Sequence, residues 1–497
     1  MSVRARVAVA LALGAAACAA PAPALATVHM TTDPGLRPAF DTGIGDYVSR
    51  CVPGQPLHFA VSATGGDRVA VGGNPERTGN FSADVTRQTG DVVGVRVTSN
   101  GRTTSHHVRC LPRDFPAWTF VRRARPQAAY YVVTPLPPSP EGYLAIFDGH
   151  GVPVWWFYSS AYGPWDGKLL PDGNLVWARQ LNALFSTQPG MAWEEHRLDG
   201  SKVREIKAAD TPTDWHDLEP TADGNYLIEL YRPRKETVDL SKHGGSEHSR
   251  VYDGEVQELS PEGKLLWRWN SAKHIKLSET RWWSWIHMRV DKKPESQRIY
   301  DLIHLNAVQD DGDGVIISSR FTDALYRIRK KDGSLDWKLG GTHRKNLSLD
   351  VKGDRPAPST FSGNHDVRLA GDGTVTVFDN GTLVKRAPRV ARFRVDRQKR
   401  TAKLVEQFKE GRIPDSGWGG SARKLPGGNW VVQWGGTPLM SEYAPGGKPV
   451  LDIRFEESLH SYRAFPILPG QVRASALRQG MTAVAKSGMA AGPGARR

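Results

Sequence analysis

Leu170-Pro171-Asp172-Gly173-Asn174 is a turn signal, and the strand-like run Leu175–Trp177 follows it directly. The same pairing of turn and strand returns at Thr221-Ala222-Asp223-Gly224-Asn225 before Tyr226–Leu230 and at Gln309-Asp310-Asp311-Gly312 before Val315–Ser318. It returns again at Ala370-Gly371-Asp372-Gly373 before Thr374–Phe378 and at Pro426-Gly427-Gly428-Asn429 before Trp430–Trp434. Asp-Gly and Gly-Asn steps supply the backbone freedom that tight hairpins need, so each copy predicts two antiparallel strands. A second turn series interleaves with the first at Asp148-Gly149, Asp199-Gly200, Glu262-Gly263, Asp332-Gly333, Arg397-Gln398 and Gly446-Gly447. Most of these precede Trp- or Leu-bearing runs such as Val154-Trp155-Trp156 and Leu335-Asp336-Trp337. Two hairpins per unit make four strands, and six copies of the second turn predict an all-β fold, a six-bladed β-propeller. The sixth copy of the first turn is missing. Its place is expected to be taken by a closing strand, with Ser461–Ile467 pairing with Tyr130–Val133. Short β-branched and aromatic runs dominate throughout, which argues against a helical solenoid.

Around this repeat the sequence divides further. Arg4 and Arg6 precede the apolar stretch Val7–Ala17, and Ala24-Leu25-Ala26 offers a small-x-small cleavage site, the layout of a signal peptide over residues 1–26. A lipoprotein reading at Cys18 lacks the usual leading Leu in Ala15-Ala16-Ala17 and is the lesser alternative; by either reading an exported chain, secreted or in the cell envelope, is expected. Residues 27–112 alternate in short β-like runs, such as Leu57–Val61 and Val92–Val97, and predict a small N-terminal β-sandwich. Of three cysteines, Cys51 and Cys110 then remain as an even pair in an oxidising compartment, predicting a disulfide. Closing that loop stabilises the fold by up to ~4 kcal/mol in the chain-entropy account. The propeller is expected over 113–470. Residues 471–497 carry five basic, no acidic and no aromatic residues, and read as a disordered basic tail.

The chain of 497 residues carries a net charge of +14 and 16 Trp. It is long enough to bury a core, and no apolar run approaches the roughly 18–20 residues that span a bilayer. Charge alone is a weak argument for nucleic acid, and export speaks against it, so no nucleic-acid partner is expected.

The chemistry sits at one register of the repeat. Seven residues before the Asp of each first-series turn, or its equivalent, stand Trp165, His216, His304, His365 and Gly420. Equivalent positions of different blades are brought together by pseudo-symmetry at the mouth of a propeller channel. One such histidine alone is most simply a satisfied side chain of a sheet; three in register point to a site. Asp217 and Asp366, each following its histidine, are expected to orient an imidazole. Asn306 lies two residues after His304 on the same strand face. The hairpin returns Arg320 within reach of His304, where a guanidinium beside imidazoles makes an anion site. The run Arg281-Trp282-Trp283-Ser284-Trp285-Ile286-His287 is either an aromatic wall for a planar ligand or strand packing.

Trp215-His216-Asp217, His304-Leu305-Asn306, Ser318-Ser319-Arg320, Phe361-Ser362-Gly363-Asn364-His365-Asp366, Phe378-Asp379-Asn380-Gly381, Gly420-Ser421 and Ser461-Tyr462-Arg463-Ala464 occur in this order. Together they resemble the bacterial arylsulfotransferase (aryl-sulfate sulfotransferase) family over most of residues 115–467. The resemblance implies an exported six-bladed propeller with a small additional β-domain. It implies an enzyme that moves a sulfuryl group from a phenolic sulfate ester to a phenol, with no nucleotide donor, no cofactor and no metal. By motif, His365 would be the transiently sulfated nucleophile, and His216, His304 and Arg320 would hold the group, with Asn306 nearby. Trp165, from the register, and Tyr462 and Arg463, from the last motif, join Asn306 as candidate substrate-binding residues.

The chemistry of a sulfate ester fits these residues. Positioning and charge stabilisation on the equatorial oxygens dominate, as in phosphoryl transfer. A neutral imidazole is a competent nucleophile for a two-step scheme, and His216 or His304 can serve as the acid–base. Two alternatives use the same residues: a metal-dependent hydrolase or oxygenase on the three histidines, and a non-catalytic propeller that binds anionic glycans of the envelope. Arg320 argues against a cation centre, and no His-Glu-x-x-His or paired Cys-x-x-Cys supports one. No Gly-x-Ser-x-Gly elbow is present.

Overall fold

The structure, a computed structural model, describes residues 28–135, 141–160, 163–179, 190–284, 286, 294 and 297–492. The expected signal peptide, Cys18, Trp285 and His287 lie outside the described residues.

Six sheets of at least four strands follow one another from residue 118 to residue 467, antiparallel except where Ile299–Asp301 and Asp350–Lys352 each add one parallel strand. All five first-series turns join the first two strands of a sheet, as Leu218–Pro220 and Tyr226–Pro233 are joined through Thr221–Asn225. All six second-series turns join the last two, as at Asp332-Gly333 between Ala324–Arg329 and Leu335–Gly340. The sheet without a first-series turn completes itself from the far end of the chain: Tyr130–Val133 pairs with Ala464–Ile467, Tyr130 opposite Ile467 and Val133 opposite Ala464. Trp118–Arg122 adds a fifth strand to Lys448–Phe455, so both ends of the repeat region are tied to sheets of the other end.

Tryptophans bind successive sheets together. The Trp155 indole N–H donates to the Leu198 carbonyl at 2.8 Å, that of Trp193 to Asp214 at 3.0 Å, and that of Trp269 to Gly333 at 2.9 Å. Each indole buries its ring and spends its one donor on the neighbouring sheet, which accounts for the heavy Trp content.

Residues 28–110 form two further sheets, one of Val28–Asp33, Pro56–Ala63 and Gly79–Thr86, the other of five strands with Arg102–Cys110 near its centre. Their inward residues, among them Phe59, Val69, Val95 and Val108, share one apolar cluster. Cys51 and Cys110 are joined by a disulfide inside it.

The C-terminal segment departs from expectation. Ala474–Lys486 is an α-helix, with Leu477, Met481 and Val484 buried against Trp156 and its neighbours. Their i, i+4 and i+7 spacing gives the segment an apolar stripe that a count of charges conceals. Its polar face meets the N-terminal sheets: Arg478 pairs with Asp46 at 2.7 Å, and Arg109 donates to the Arg478 carbonyl at 3.1 Å. The helix therefore bridges the two parts of the chain. Among the described residues no helix is long and apolar enough to cross a membrane.

Candidate active site

His216 and His304 stand just ahead of the first strands of the third and fourth sheets, and His365 stands within Asn364–Leu369, the first strand of the fifth. All three are buried. The His216 and His304 rings meet edge to face, centroids 4.9 Å apart at 82°. Tyr462 lies between His216 and His365, its ring centroid 6.1 Å from each. The structure thus gathers the three histidines into one buried group around Tyr462.

The orienting groups are not those expected. Nδ1 of His216 is held by Asp214 at 2.6 Å, and Nδ1 of His304 by Asp301 at 2.6 Å. Nδ1 of His365 is held by the Gly363 carbonyl at 2.9 Å. Each partner precedes its histidine by two or three residues and faces it across a tight turn; His304 itself adopts a left-handed φ of 50° to close that turn. Proton-accepting partners at Nδ1 place a proton on Nδ1 of all three imidazoles, which leaves Nε2 as the nitrogen available to a reacting group. Among the described residues, Nε2 of His365 receives only the Gly419 backbone N–H, at 3.2 Å. Burial, then the nearby Arg320 guanidinium, drives the His365 pKa well below its ordinary value, so the imidazole is neutral at physiological pH.

Arg320 is returned to the site by its hairpin, its backbone N–H bonded to the His304 carbonyl at 2.9 Å. Its guanidinium lies over the Trp282 ring at 4.3 Å and donates to the Gly417 carbonyl at 2.8 Å. Trp282 is in turn fixed by Asp323, which accepts its indole N–H at 2.8 Å. In the described part of the 281–287 run, Trp282 thus packs against the arginine and Trp283 stacks on His243 at 3.6 Å.

Asp217 and Asp366 serve another purpose. Both are fully buried in an ion network beneath the histidines. Asp217 meets Lys168 at 2.9 Å, Arg368 at 2.9 Å and Arg463 at 3.1 Å, and Asp366 meets Arg423 at 2.9 Å and Arg368 at 3.0 Å. Asp166 joins through Lys168 and Arg463, at 2.9 Å each. Burial pushes these carboxyls up, but the surrounding cations outweigh it, holding Asp217 well below its ordinary range and Asp366 at about 2. The network has a sequence signal, Asp166-x-Lys168 repeated as Asp366-x-Arg368. In both copies a β-bulge and a left-handed Asp (φ 49° and 53°) turn the acid off the regular strand register.

Arg463 belongs to this network. It donates to the backbone carbonyls of His216, at 2.9 Å, and of Asn306, and so braces the strands that carry the site. The Asn306 amide likewise donates inward, to the Asn364 carbonyl at 2.8 Å. Trp165 is buried in an aromatic group with Tyr462 (5.1 Å), Trp215 (4.4 Å) and Trp418 (6.2 Å). Of the four candidate substrate-binding residues, Arg463 and Asn306 are thus bound to the scaffold, and Trp165 and Tyr462 form the aromatic floor.

Glu229 escapes sequence reading, because nothing in Tyr226–Pro233 distinguishes a catalytic from a structural acid. It is fully buried, neither carboxyl oxygen has a hydrogen-bond partner among the described residues, and burial, then Asp217 and Asp214, raise its pKa strongly. Asp214, His216 and Glu229 each place a potential ligand atom within 4.8 Å of the others. Among the described residues no other cluster is so spaced, and its His216–Asp214 pair is already joined by a hydrogen bond.

Three buried imidazoles, one guanidinium and an ion network beneath them are thus gathered in one place. The arylsulfotransferase (ASST) family model matches residues 191–456, more than half of the chain and the stretch that holds all four of these side chains. The chain belongs to the arylsulfotransferase family. No curated protein matches it. A protein of unknown function from Bacteroides caccae is similar in structure at 11% identity and a TM-score of 0.41, over 68% of this chain and 99% of its own. An inactive virginiamycin B lyase from Staphylococcus aureus, solved with quinupristin, is similar at 7% identity and a TM-score of 0.34, over 72% and 91%. The Myceliophteria thermophila Cps50 β-propeller domain is similar at 13% identity and a TM-score of 0.35, over 69% and 87%.

Proposed function

We propose that this chain is an exported aryl-sulfate sulfotransferase that works through a sulfohistidine at His365. The observation that carries the reading is the state of that side chain. It is buried, neutral, fixed as the Nδ1–H tautomer by Gly363, and flanked by Arg320 and two further imidazoles. In the first half-reaction Nε2 of His365 attacks sulfur and the S–O bond to the phenol breaks. Arg320 offsets the charge on the sulfuryl oxygens, and His216 or His304 hands its Nε2 proton to the departing phenolate. In the second, a phenol oxygen attacks the sulfur, the S–N bond breaks, and the same imidazole takes the phenol's proton. The six sheets are read as six blades with the site at the mouth of their axis, and residues 28–110 as a sandwich beside them.

The test is incubation with 4-nitrophenyl sulfate followed by mass spectrometry of the trapped protein. A sulfuryl adduct on the His365 peptide is expected, absent from His365→Ala, with release of 4-nitrophenol lost in that variant. An unchanged rate in His365→Ala overturns the assignment. Activity is expected to survive exhaustive chelation; loss of activity together with a stoichiometric metal would favour the metal-centred alternative.

A further inference from the structure

Asn380 follows the last residue of Val375–Asp379, the second strand of the fifth sheet. Asn364 pairs with Asp379 and His365 with Phe378, so Asn380 stands level with Gly363, just ahead of the histidine. Its neighbours set its place. Asp379 accepts the backbone N–H groups of Ser362, at 3.0 Å, and of Gly381, at 3.1 Å, and meets Arg389 at 2.9 Å. The Gly381 N–H also donates to the Ser362 carbonyl at 2.8 Å. Asn380 itself is fully buried, where an amide costs stability unless it is hydrogen-bonded.

Three groups lie within reach of the Asn380 side-chain nitrogen: the Gly363 carbonyl at 2.7 Å, the Gly419 carbonyl at 3.1 Å and Nδ1 of His365 at 3.2 Å. An amide nitrogen has two hydrogens, and the two carbonyls can only accept. Both hydrogens therefore go to the carbonyls, and none is left for Nδ1. The imidazole supplies its own proton there and gives it to Gly363 at 2.9 Å, whose oxygen has a lone pair for each donor. An amide turned the other way would set its oxygen against two carbonyl oxygens. On the far side of the ring the Gly419 N–H reaches Nε2 at 3.2 Å. Asn380 thus ties the turn before His365 to the loop before Ser421–Lys424 of the sixth sheet, and holds one glycine at each nitrogen of the ring.

We propose that Asn380 is a positioning residue of the sulfotransfer centre: its amide clamps Gly363 and Gly419 on the two sides of the His365 ring, fixing the ring's orientation and keeping the proton on Nδ1. The role rests on His365 being the nucleophile of the reaction proposed above. The clamp itself is measured in the protein without substrate, so the two can fail separately.

The measurements are nitrogen NMR of isotopically labelled histidines, with His365 identified by its loss in His365→Ala, and the single-turnover burst of 4-nitrophenol from 4-nitrophenyl sulfate. Wild type is expected to show Nδ1 protonated and Nε2 bare. Asn380→Ala frees both carbonyls. Part of the His365 population is then expected to carry its proton on Nε2, and the burst to slow about 10- to 100-fold with KM little changed. Asn380→Asp keeps the shape but sets a carboxylate beside Nδ1. The charged and titratable groups facing the ring are Arg320, His304, Arg463 and Tyr462, and Asp366 is turned into the ion network, so the new carboxylate favours the imidazolium where none of these does. The burst, flat with pH in wild type, is expected to fall as pH falls in this variant. A folded Asn380→Ala with the wild-type spectrum or the wild-type burst would overturn the proposal, as would a wild-type spectrum and a flat burst in Asn380→Asp. The expected change of spectrum in a protein with no aryl sulfate turnover would instead overturn the reaction and leave the clamp standing.

Discussion

The carbonyl oxygen of Gly363 lies 2.9 Å from Nδ1 of His365, two residues further along the chain. A carbonyl only accepts, so Nδ1 carries the proton and Nε2 the lone pair. With burial and Arg320 lowering its pKa, His365, in the nucleophile's role proposed for it, is not readily disarmed by acid. The rate of sulfuryl uptake, read as the single-turnover burst of 4-nitrophenol, is expected to stay flat as pH falls through 6.5. A burst that halves near pH 6.5 would assign His365 an ordinary titration and contradict the burial argument.

Arg320 combines a stack on Trp282 with a hydrogen bond to Gly417. Lysine offers a point charge with neither planarity nor fork. Arg320→Ala is expected to lower kcat about 10²–10³-fold, the scale of a lost oxyanion donor. Arg320→Lys is expected to recover little of it. Full rescue by lysine in steady-state assays would show that charge alone suffices.

Asp214 and Asp301 hold His216 and His304 by the same 2.6 Å contact, which allows the acid–base to be identified. Asp214→Asn and Asp301→Asn each release one imidazole from its tautomer. The variant that disables the acid is expected to lose about 10²–10⁴-fold with phenyl sulfate and much less with 4-nitrophenyl sulfate, whose phenolate leaves unaided. Equal losses with both donors in both variants would mean that neither histidine transfers the proton.

Glu229 has a folded pKa raised far above its ordinary 4.5 by burial. Its contribution to stability is full below pH 4.5 and drains away as pH rises toward the folded pKa, because only the unfolded chain ionises it freely. Glu229→Gln removes that drain. Its melting temperature is expected to gain on wild type steadily from pH 5 to pH 8; a constant difference across that range would show the carboxyl to be ionised in the fold.

The helix Ala474–Lys486 is held by Leu477, Met481 and Val484 on one face and by Arg478 and Asp46 on the other. Met481→Ala is expected to cost about 2–5 kcal/mol by urea denaturation, as a cavity in a closed core. Truncation after residue 473 is expected to expose the junction with residues 28–110 to limited proteolysis. An unaltered digestion pattern would show that the helix does not join the two parts.

Much of this was legible because hairpin turns are local. Asp-Gly and Gly-Asn steps favour the tight hairpin wherever they stand, so most of the turns could be read without a neighbour. The histidine register followed, since a fixed count from a turn returns to the same place on every sheet. Asp214 and Asp301 were passed over for a plain reason. A turn that folds an acid back on a histidine two or three residues later leaves no pattern unlike any loop acid, whereas Asp217 and Asp366 adjoin their histidines in sequence yet face into the ion network. The C-terminal helix was missed because its apolar stripe is built from Leu, Met and Val amid alanines and glycines, where composition looks like a tail.

The sequence by itself determined the strands, their pairing in hairpins, the Cys51–Cys110 bridge, and which histidines share a register. These are set by backbone geometry within a few residues or by the count of candidates. Only the tertiary structure decided which group each candidate meets. It placed Arg463 and Asn306 in the scaffold, put Trp282 beneath Arg320, and lowered the pKa of His365 by burial. Those properties depend on burial and on charges from other sheets, and desolvation is a property of the packed molecule that no local stretch of sequence carries.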